Sequence, residues 1–155
     1  MVRSIGKTAL GPDLYAVRYQ PGCFADLPWG REEFDCLVWL GDVLTDERLA
    51  EVARALADMN NDWIDVAGHR CQELHDAIDQ AAVALGRQRA VGDGHPMTAW
   101  HTEVRSIPAL AQLACSHCGN NDHLLVIVVA AETVLEEVLN ALRNELASCG
   151  PGGGA

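Results

Sequence analysis

The sequence predicts a single α/β domain: a three-layer sandwich of the flavodoxin or Rossmann type, with a mostly parallel sheet of four to five strands between helices. Apolar runs of strand length alternate with amphipathic helical stretches, which is the rhythm of βαβ units. Two of these runs are apolar almost throughout, as expected for strands buried on both faces. The length of 155 residues, with 49% hydrophobic and 21% charged side chains, also fits one globular domain. We expect this domain at residues 34–148, after a loop region with an edge strand at residues 1–33 and before a flexible tail at residues 149–155.

The N-terminal part contains the edge strand and the first buried strand. Residues 14–19 alternate well enough for a short strand at the edge of the sheet. Phe34–Leu40 is a continuous apolar run that ends at a Gly-Asp pair, which predicts a strand buried on both faces. A helix is expected from Thr45, whose hydroxyl can cap it, since Asp46 and Glu47 suit the positive end of the helix dipole.

The middle of the chain repeats this order. Residues 63–67 predict the next strand, and Cys71 begins the apolar stripe of a second helix. Residues 86–96 are polar and contain glycines, so we expect a mobile loop there. Met97–His101 is typical of a further short strand.

The C-terminal part contains the strongest strand signal. Pro108 fits the first turn of a third helix. Residues 124–130 form the most apolar run, and Thr133 with Glu136 has the spacing of a capping box for the last helix. Right-handed crossovers between successive strands then make the sheet parallel.

Charge and hydropathy exclude several classes of protein. The net charge of −11 and the lack of a Lys/Arg cluster argue against nucleic-acid binding. The longest apolar run, residues 124–131, is too short to cross a bilayer, and the first residues lack the apolar core of a signal peptide. Three of the six cysteines lie inside predicted strands or helices, which indicates reduced thiols and a cytoplasmic protein.

The candidate binding residues follow from the predicted topology. In an open parallel sheet, ligands bind outside the carboxyl ends of the strands. Residues directly after the strands, with their polar neighbours, should therefore share one rim. These ligand-binding candidates are Asp42, Gly68, Arg70, Cys71, His75, Trp100, His101, Glu103 and Glu132.

Two of these candidates have competing interpretations. Cys71 lies in the first turn of a helix, where the dipole favours a thiolate, and His75 lies one turn further on. However, Cys71 also lies near the centre of the apolar stripe of that helix, so a packed, inert thiol is the favoured interpretation. His101 is either a general base, a metal ligand or a binding contact, or else a surface imidazole bonded to a nearby carboxylate.

A zinc site is a weaker possibility. Cys115 and Cys118 enclose His117, and His123 follows five residues later, which resembles half of a zinc site. A second pair of ligands at a usable spacing is missing. Zinc is therefore not favoured, and no cofactor is predicted. Glycine-rich nucleotide-binding loops are also missing from the sequence.

Two patches resemble a small family of uncharacterised bacterial domains. Its members pair an MTTWHE-like strand end, here Met97–His101, with an earlier G-x-x-C pattern, here Gly68 to Cys71, and two aspartates in the next helix, here Asp76 and Asp79. The resemblance extends over residues 34–135. It implies an α/β domain and directs attention to Gly68, Cys71, Asp76, Asp79, Trp100 and His101. It implies no particular activity.

The chain departs from this family pattern at three positions. Ala99 stands where a threonine is usual, and Thr102 separates His101 from Glu103. His75 occupies a position where an aromatic or acidic residue is expected.

The sequence does not specify a function. The acidity, the small size and the lack of a catalytic motif favour a bacterial binding protein that recognises a protein partner, of the immunity or defence-accessory kind. The alternative is an enzyme or a small-ligand sensor with its site at the carboxyl edge of the sheet. The oligomeric state stays open.

Overall fold

The computed structural model describes residues 1–30, 32–59, 61–86, 97–117, 119 and 121–149. Within them the strands are β1 (Arg3–Lys7), β2 (Asp13–Arg18), β3 (Phe34–Leu40), β4 (Asn61–Gly68), β5 (Met97–His101) and β6 (His123–Val129). The helices are α1 (Asp46–Ala57), α2 (Cys71–Ala84), α3 (Ile107–Ser116) and α4 (Glu132–Ser148). The predicted loop at residues 86–96 and the predicted tail, except for Gly86 and Cys149, lie outside the described residues.

The sheet is open and mostly parallel, in the order β1-β2-β6-β3-β4-β5. Strands β2, β6, β3, β4 and β5 pair in parallel, and β1 alone pairs antiparallel, with β2. The α/β prediction is confirmed, but the described sheet has six strands instead of four to five. The strand predicted at residues 14–19 is present as β2, but its predicted edge position is wrong, because β2 lies between β1 and β6. The sequence of β1, RSIGK, is too polar and too short to show a strand pattern.

Alternate side chains of the strands enter two hydrophobic clusters. Cys36, Val38 and Leu40 of β3 pack with residues of α1 and α2. Leu37 and Trp39 pack instead with residues of α3 and α4. Because successive side chains of a strand point to opposite faces, the two helix pairs lie against opposite faces of the sheet.

The start of α1 agrees with the sequence prediction, whereas the start of α4 does not. The Thr45 hydroxyl accepts the N–H of Arg48 at 3.3 Å and caps α1 as predicted. Helix α4 follows Ala131 and has no side-chain cap, so the predicted capping box at Thr133 does not form. The Glu136 carboxylate instead accepts a hydrogen bond from Arg3. Among the described residues, no helix has both the length and the apolar character of a membrane span.

The connections open a crevice at the carboxyl edge of the sheet. After β4 the chain runs into α2 on one face, whereas after β5 it runs into α3 on the other face. When neighbouring strands are followed by helices on opposite faces of the sheet, the loops after the two strands diverge and leave a crevice between them. Ligands bind in such crevices in open α/β sheets. The same divergence occurs between β3, which leads into α1, and β6, which leads into α4.

Candidate functional site

The candidate residues lie along one edge but not in one pocket. Asp42, Cys71, His101 and Glu132 follow or end β3, β4, β5 and β6, and these strands are parallel. Asp42 lines a small cleft of about 270 Å³ at the ends of β2, β3 and β6. Glu132 forms ion pairs with Arg3 and Arg18. The strand order thus separates these two residues from those that follow β4 and β5.

A larger cleft, of about 430 Å³, lies between the loops that follow β4 and β5. We call it the β4–β5 cleft. Its lining residues are Trp39, Gly68, His69, Arg70, Cys71, Gln72, Glu73, Thr102 and Arg105. It therefore combines three of the predicted candidates, at residues 68, 70 and 71, with side chains that the sequence did not single out.

The turn between β4 and α2 has an unusual backbone. Gly68 has a φ of +94°, and a Cβ at this position would collide with the carbonyl oxygen of Leu40. Arg70, at the N-cap position of α2, also lies in the left-handed region, with a φ of 54°. Its guanidinium donates to the Leu44 carbonyl and to Asp46, both at 2.6 Å, and it forms an ion pair with Glu73. Arg70 therefore ties the start of α2 to the start of α1.

Cys71 is a packed side chain. It is 4% exposed and belongs to the same hydrophobic cluster as Leu74 and Ile78. Although it borders the β4–β5 cleft, this burial supports the interpretation of Cys71 as an inert thiol rather than a nucleophile.

His75 and Trp100 form a separate cluster between α2 and β5. His75 is 8% exposed, and its Nδ1 lies 3.0 Å from Asp76 Oδ1. Its Nε2 lies 3.0 Å from the Thr98 hydroxyl, which donates to Asp79 at 2.8 Å. The ring centroids of His75 and Trp100 are 4.4 Å apart. Neither residue lines the β4–β5 cleft.

His101 belongs to a chain of alternating acids and histidines. Its Nε2 lies 2.8 Å from Asp65 Oδ1, and its Nδ1 lies 3.1 Å from Glu103 Oε1. The other Asp65 oxygen lies 3.4 Å from Nδ1 of His117, whose Nε2 is 3.0 Å from Asp35 Oδ2. We call this chain the His–Asp network; its members are Glu103, His101, Asp65, His117 and Asp35.

The carboxylates hold protons on the histidines of the His–Asp network. Burial alone would lower the pKa of His117, but the hydrogen bonds and charges of Asp35 and Asp65 outweigh it and raise the pKa to about 9. The pKa of His101 is also raised, because Asp65 and Glu103 outweigh the effect of burial. The same hydrogen bonds lower the pKa of Asp65 despite its burial. The His117 imidazole is therefore a cation at neutral pH, and the carboxylates also favour the charged form of His101.

This geometry argues for ion pairing and against acid–base catalysis. Both ring nitrogens of His101 and of His117 are occupied by carboxylates. A general base needs a ring nitrogen within reach of a substrate proton, and in this arrangement neither ring offers one. For His101, the interpretation as an imidazole bonded to nearby carboxylates therefore fits the geometry best.

The network is buried at one end and open at the other. Asp35 and Asp65 are 2% and 5% exposed, whereas the Glu103 side chain is 71% exposed. Asn121 donates to the second oxygen of Asp35 at 2.8 Å. Gly119 passes so close that a Cβ there would overlap the Asp35 carboxylate.

Most of this network does not follow from local sequence patterns. Asp35 and Asp65 lie within apolar runs that predict strands, and His117 lies within the half zinc motif. The signal was nevertheless present: a carboxylate inside a run that is buried on both faces must find a cation or several donors.

The weak zinc candidates do not come together among the described residues. Cys115 is buried, and desolvation raises the pKa of its thiol to about 11. His123 stacks on Trp29 at 5.0 Å and lies 3.2 Å from Glu32. Cys118 lies outside the described residues. Within the described part of the chain, no group of three or more His, Cys, Asp or Glu side chains could hold a metal ion.

Comparison with known proteins identifies the family. No curated protein matches this chain. The model of a family described as "Domain of unknown function (DUF7684)" matches residues 14–148, which include β2 to α4 and every predicted binding candidate. This match confirms the resemblance to an uncharacterised domain family, and the chain belongs to the DUF7684 family of domains of unknown function.

Proposed function

We propose that this domain binds a small anionic ligand in the β4–β5 cleft. One observation carries the proposal: His69, Arg70, Arg105 and the amino end of α2 border the same cleft in a chain whose net charge is −11. Basic groups concentrated at one concave place, within an otherwise acidic protein, favour an anion there. This is the small-ligand alternative of the sequence analysis.

The amino end of α2 supplies donors for an anion. Its N-cap residue, Arg70, makes no capping hydrogen bond through its side chain. The first N–H groups of a helix have no partner within the helix and lie at the positive end of its dipole. Gln72 and Glu73, which belong to this first turn, line the cleft. Such helix starts bind phosphate and carboxylate groups.

Arg105 is the side chain best suited to contact the ligand. Arg70 is already paired with Asp46 and Glu73, so its charge is largely compensated. Arg105 uses its Nε to donate to the Thr102 carbonyl at 2.8 Å, and its two terminal nitrogens take no part in that bond. A guanidinium held in this way can donate to two oxygens of a phosphate or carboxylate.

The size of the cleft limits the size of its ligand. Trp39, which is 6% exposed, contributes to the lining. The cleft volume of about 430 Å³ lies within the usual range of small-ligand sites. These features support a ligand no larger than a mononucleotide.

Thermal unfolding tests the proposal with defined probes: inorganic phosphate, succinate and adenosine monophosphate, each against sodium chloride of equal ionic strength. We expect one of these anions to raise the Tm of the wild type by binding the folded state. Arg105→Gln should abolish the shift, whereas Arg54→Gln, an exposed change on α1, should retain it. An equal shift in the wild type and Arg105→Gln would contradict the proposal, and so would no shift with any of the three anions.

A protein partner is the second candidate function. The acidic start of α1 supports it: Asp46 and Glu47 lie in its first turn, Glu51 lies one turn further on, and all three are exposed. Asp46 and Glu51 also form ion pairs within the protein. Native mass spectrometry of the protein isolated gently from its host should then show a bound protein. Glu47→Lys should release it, and Glu137→Lys on α4 should not. A complex that survives Glu47→Lys would rule out recognition through α1.

Two finer expectations belong to this proposal. Cys23, Cys36, Cys71, Cys115 and Cys149 are free thiols, which accords with the reducing cytoplasm of a bacterial cell. Cell fractionation tests that location.

Helix pairs on opposite faces of the sheet accord with a three-layer sandwich of the flavodoxin or Rossmann type. Superposition of an experimental structure on such folds tests that relation.

A further inference from the structure

We propose that the His–Asp network is a proton-operated latch, which fixes the end of β5 and the carboxyl end of α3 to the central strands while its imidazoles are charged and opens when they lose their protons. This inference goes beyond ligand binding, and the latch does not require the proposed ligand.

The position of the network suits a latch. His101 and Glu103 lie just before α3, and His117 directly follows its last residue. Their partners Asp35 and Asp65 belong to β3 and β4, the central part of the sheet. A single carboxylate, Asp65, contacts both histidines and so joins the last residue of β5 to the carboxyl end of α3 through β4.

The middle of α3 is held differently. Leu110, Ala111 and Ala114 are buried in the hydrophobic cluster shared with α4. The same cluster contains the Cys115 thiol, whose pKa burial raises to about 11, so it stays neutral while His117 titrates. A change of protonation therefore acts on the end of β5 and the carboxyl end of α3, while the centre of α3 stays packed.

The charged groups that face the imidazoles are all acidic. His101 is faced by Asp65 from β4 and Glu103 from the β5–α3 loop. His117 is faced by Asp35 from β3 and Asp65 from β4. Each imidazolium can donate to two carboxylates, whereas a neutral imidazole has a single N–H and satisfies only one. Loss of the proton thus leaves a buried carboxylate with one donor fewer, which opening to water would restore.

The direction of the pH effect follows from the pKa of His117, which is about 9 in the closed state. In an opened, solvated state the imidazole would titrate near 6.5. The latch is therefore fully favoured below pH ~6.5 and is lost as the pH rises through the closed-state value. Between neutral pH and pH ~10, the opening equilibrium should shift by roughly ten- to a hundredfold.

Pulsed hydrogen exchange of the full chain tests the latch from mildly acidic to alkaline pH. The probes are the amides of Val104 and His117, which donate to His101 and Ala114, and the amide of Ala111, a buried residue in the middle of α3. Protection, corrected for the intrinsic rate at each pH, should fall roughly ten- to a hundredfold at His117, should also fall at Val104, and should stay constant at Ala111. Constant protection at both Val104 and His117, or an equal loss at Ala111, would overturn the proposal.

Matched variants identify the group responsible. The double variant Asp35→Asn/His117→Gln removes one charge of each sign, so it avoids a buried unpaired carboxylate, and it should abolish the pH dependence at His117. His123→Gln changes a histidine that is paired with Glu32 outside the network, and it should leave that dependence intact. A pH dependence retained in the double variant would contradict the latch.

A wild-type measurement keeps the proposal testable if the double variant does not fold. The ring nitrogens of His117, followed by NMR, should show an imidazolium well above neutral pH. A midpoint near the ordinary value of ~6.5 would overturn the proposal.

An open latch would also affect the β4–β5 cleft, since Thr102 and Arg105 lie between His101 and α3 and line that cleft. This consequence rests on the proposed function, whereas the hydrogen-exchange and NMR measurements require no ligand. A failure of anion binding can therefore be distinguished from a failure of the latch.

Discussion

Asp65 determines the character of the His–Asp network, because its two oxygens serve two different histidines. It is a strand residue and almost fully buried. Because Asp65 contacts both His101 and His117, its carboxylate and the two imidazoles are all paired. A buried ion pair contributes little compared with apolar packing, but removal of one partner is strongly destabilising.

The first prediction concerns this shared carboxylate. Asp65→Asn should lower the free energy of unfolding by about 3 kcal/mol, since two imidazoliums lose a common anion. Asp42→Asn, at an exposed position of the same sheet edge, should change it by less than about 0.5 kcal/mol. Urea unfolding near neutral pH measures both. Equal effects of the two substitutions would show that the network contributes nothing to stability.

The second prediction is a stability profile with pH. The pKa of His117 is raised to about 9, so its contribution is complete below the unfolded value of ~6.5 and is lost as the pH rises through about 9. The loss should amount to about 3 kcal/mol. The lowered pKa of Asp65 acts in the opposite direction, and its contribution is lost as the pH falls into the acid range. Denaturant unfolding at a series of pH values measures both limits.

The variant His117→Gln provides the check on this profile. It should be less stable near neutral pH and should lack the decline between pH ~6.5 and ~9. A parallel curve, shifted but with the same alkaline decline, would assign that decline to a different group.

The third prediction isolates close packing at a glycine. Gly68→Ala should cost about 3 kcal/mol, because the new Cβ meets the Leu40 carbonyl and the backbone φ is positive. Gly22→Ala is the matched control: its φ is also positive, at +80°, but no atom lies within 4 Å. It should cost only about 1 kcal/mol. If the two substitutions cost the same, the close approach of Gly68 to β3 is not a constraint.

At the scale of elements, the start of α2 depends on Arg70, which bridges α1 and α2 from a left-handed backbone conformation. The fourth prediction compares two replacements that both remove this bridge. Arg70→Gly relieves the backbone, whereas Arg70→Ala does not, so the glycine variant should be more stable by about 1 kcal/mol. Thermal unfolding of the two variants measures the difference. A more stable alanine variant would contradict the backbone assignment.

Helices and strands with a strong hydrophobic pattern could be predicted from the sequence, whereas those with a weak pattern could not. Phe34–Leu40 is apolar on both faces because helices cover both sides of β3, and its bounds agree with the structure. Strand β1 is polar because it lies at the edge, so nothing in its sequence marks it. The capping box predicted at Thr133 fails because α4 begins at Glu132, so Thr133 lies inside the helix, and Glu136 pairs instead with Arg3, which is remote in the sequence. Local pattern cannot anticipate such a tertiary contact.

At the scale of the whole molecule, the parallel direction of the strands brought the candidate residues to one edge, as the topology rule predicts. Their division between two clefts could not be predicted, because apolar runs reveal burial but not which strands are neighbours. Because β6 lies between β2 and β3, Glu132 and Asp42 follow neighbouring strands, whereas Cys71 follows β4 on the other side of β3. Arg105 could not be predicted as part of the cleft, because it stands alone in the sequence beyond the end of β5.

NMR mapping of anion binding tests the central claim, that the β4–β5 cleft is the binding site. Amide shifts of the isotope-labelled wild type would be followed during titration with inorganic phosphate, succinate and adenosine monophosphate at constant ionic strength. We expect saturable shifts confined to residues 68–73 and 102–105, and their loss in Arg105→Gln. Shifts centred instead on Arg18 and Arg48 at the smaller cleft, or no saturable shift with any of the three anions, would contradict the account.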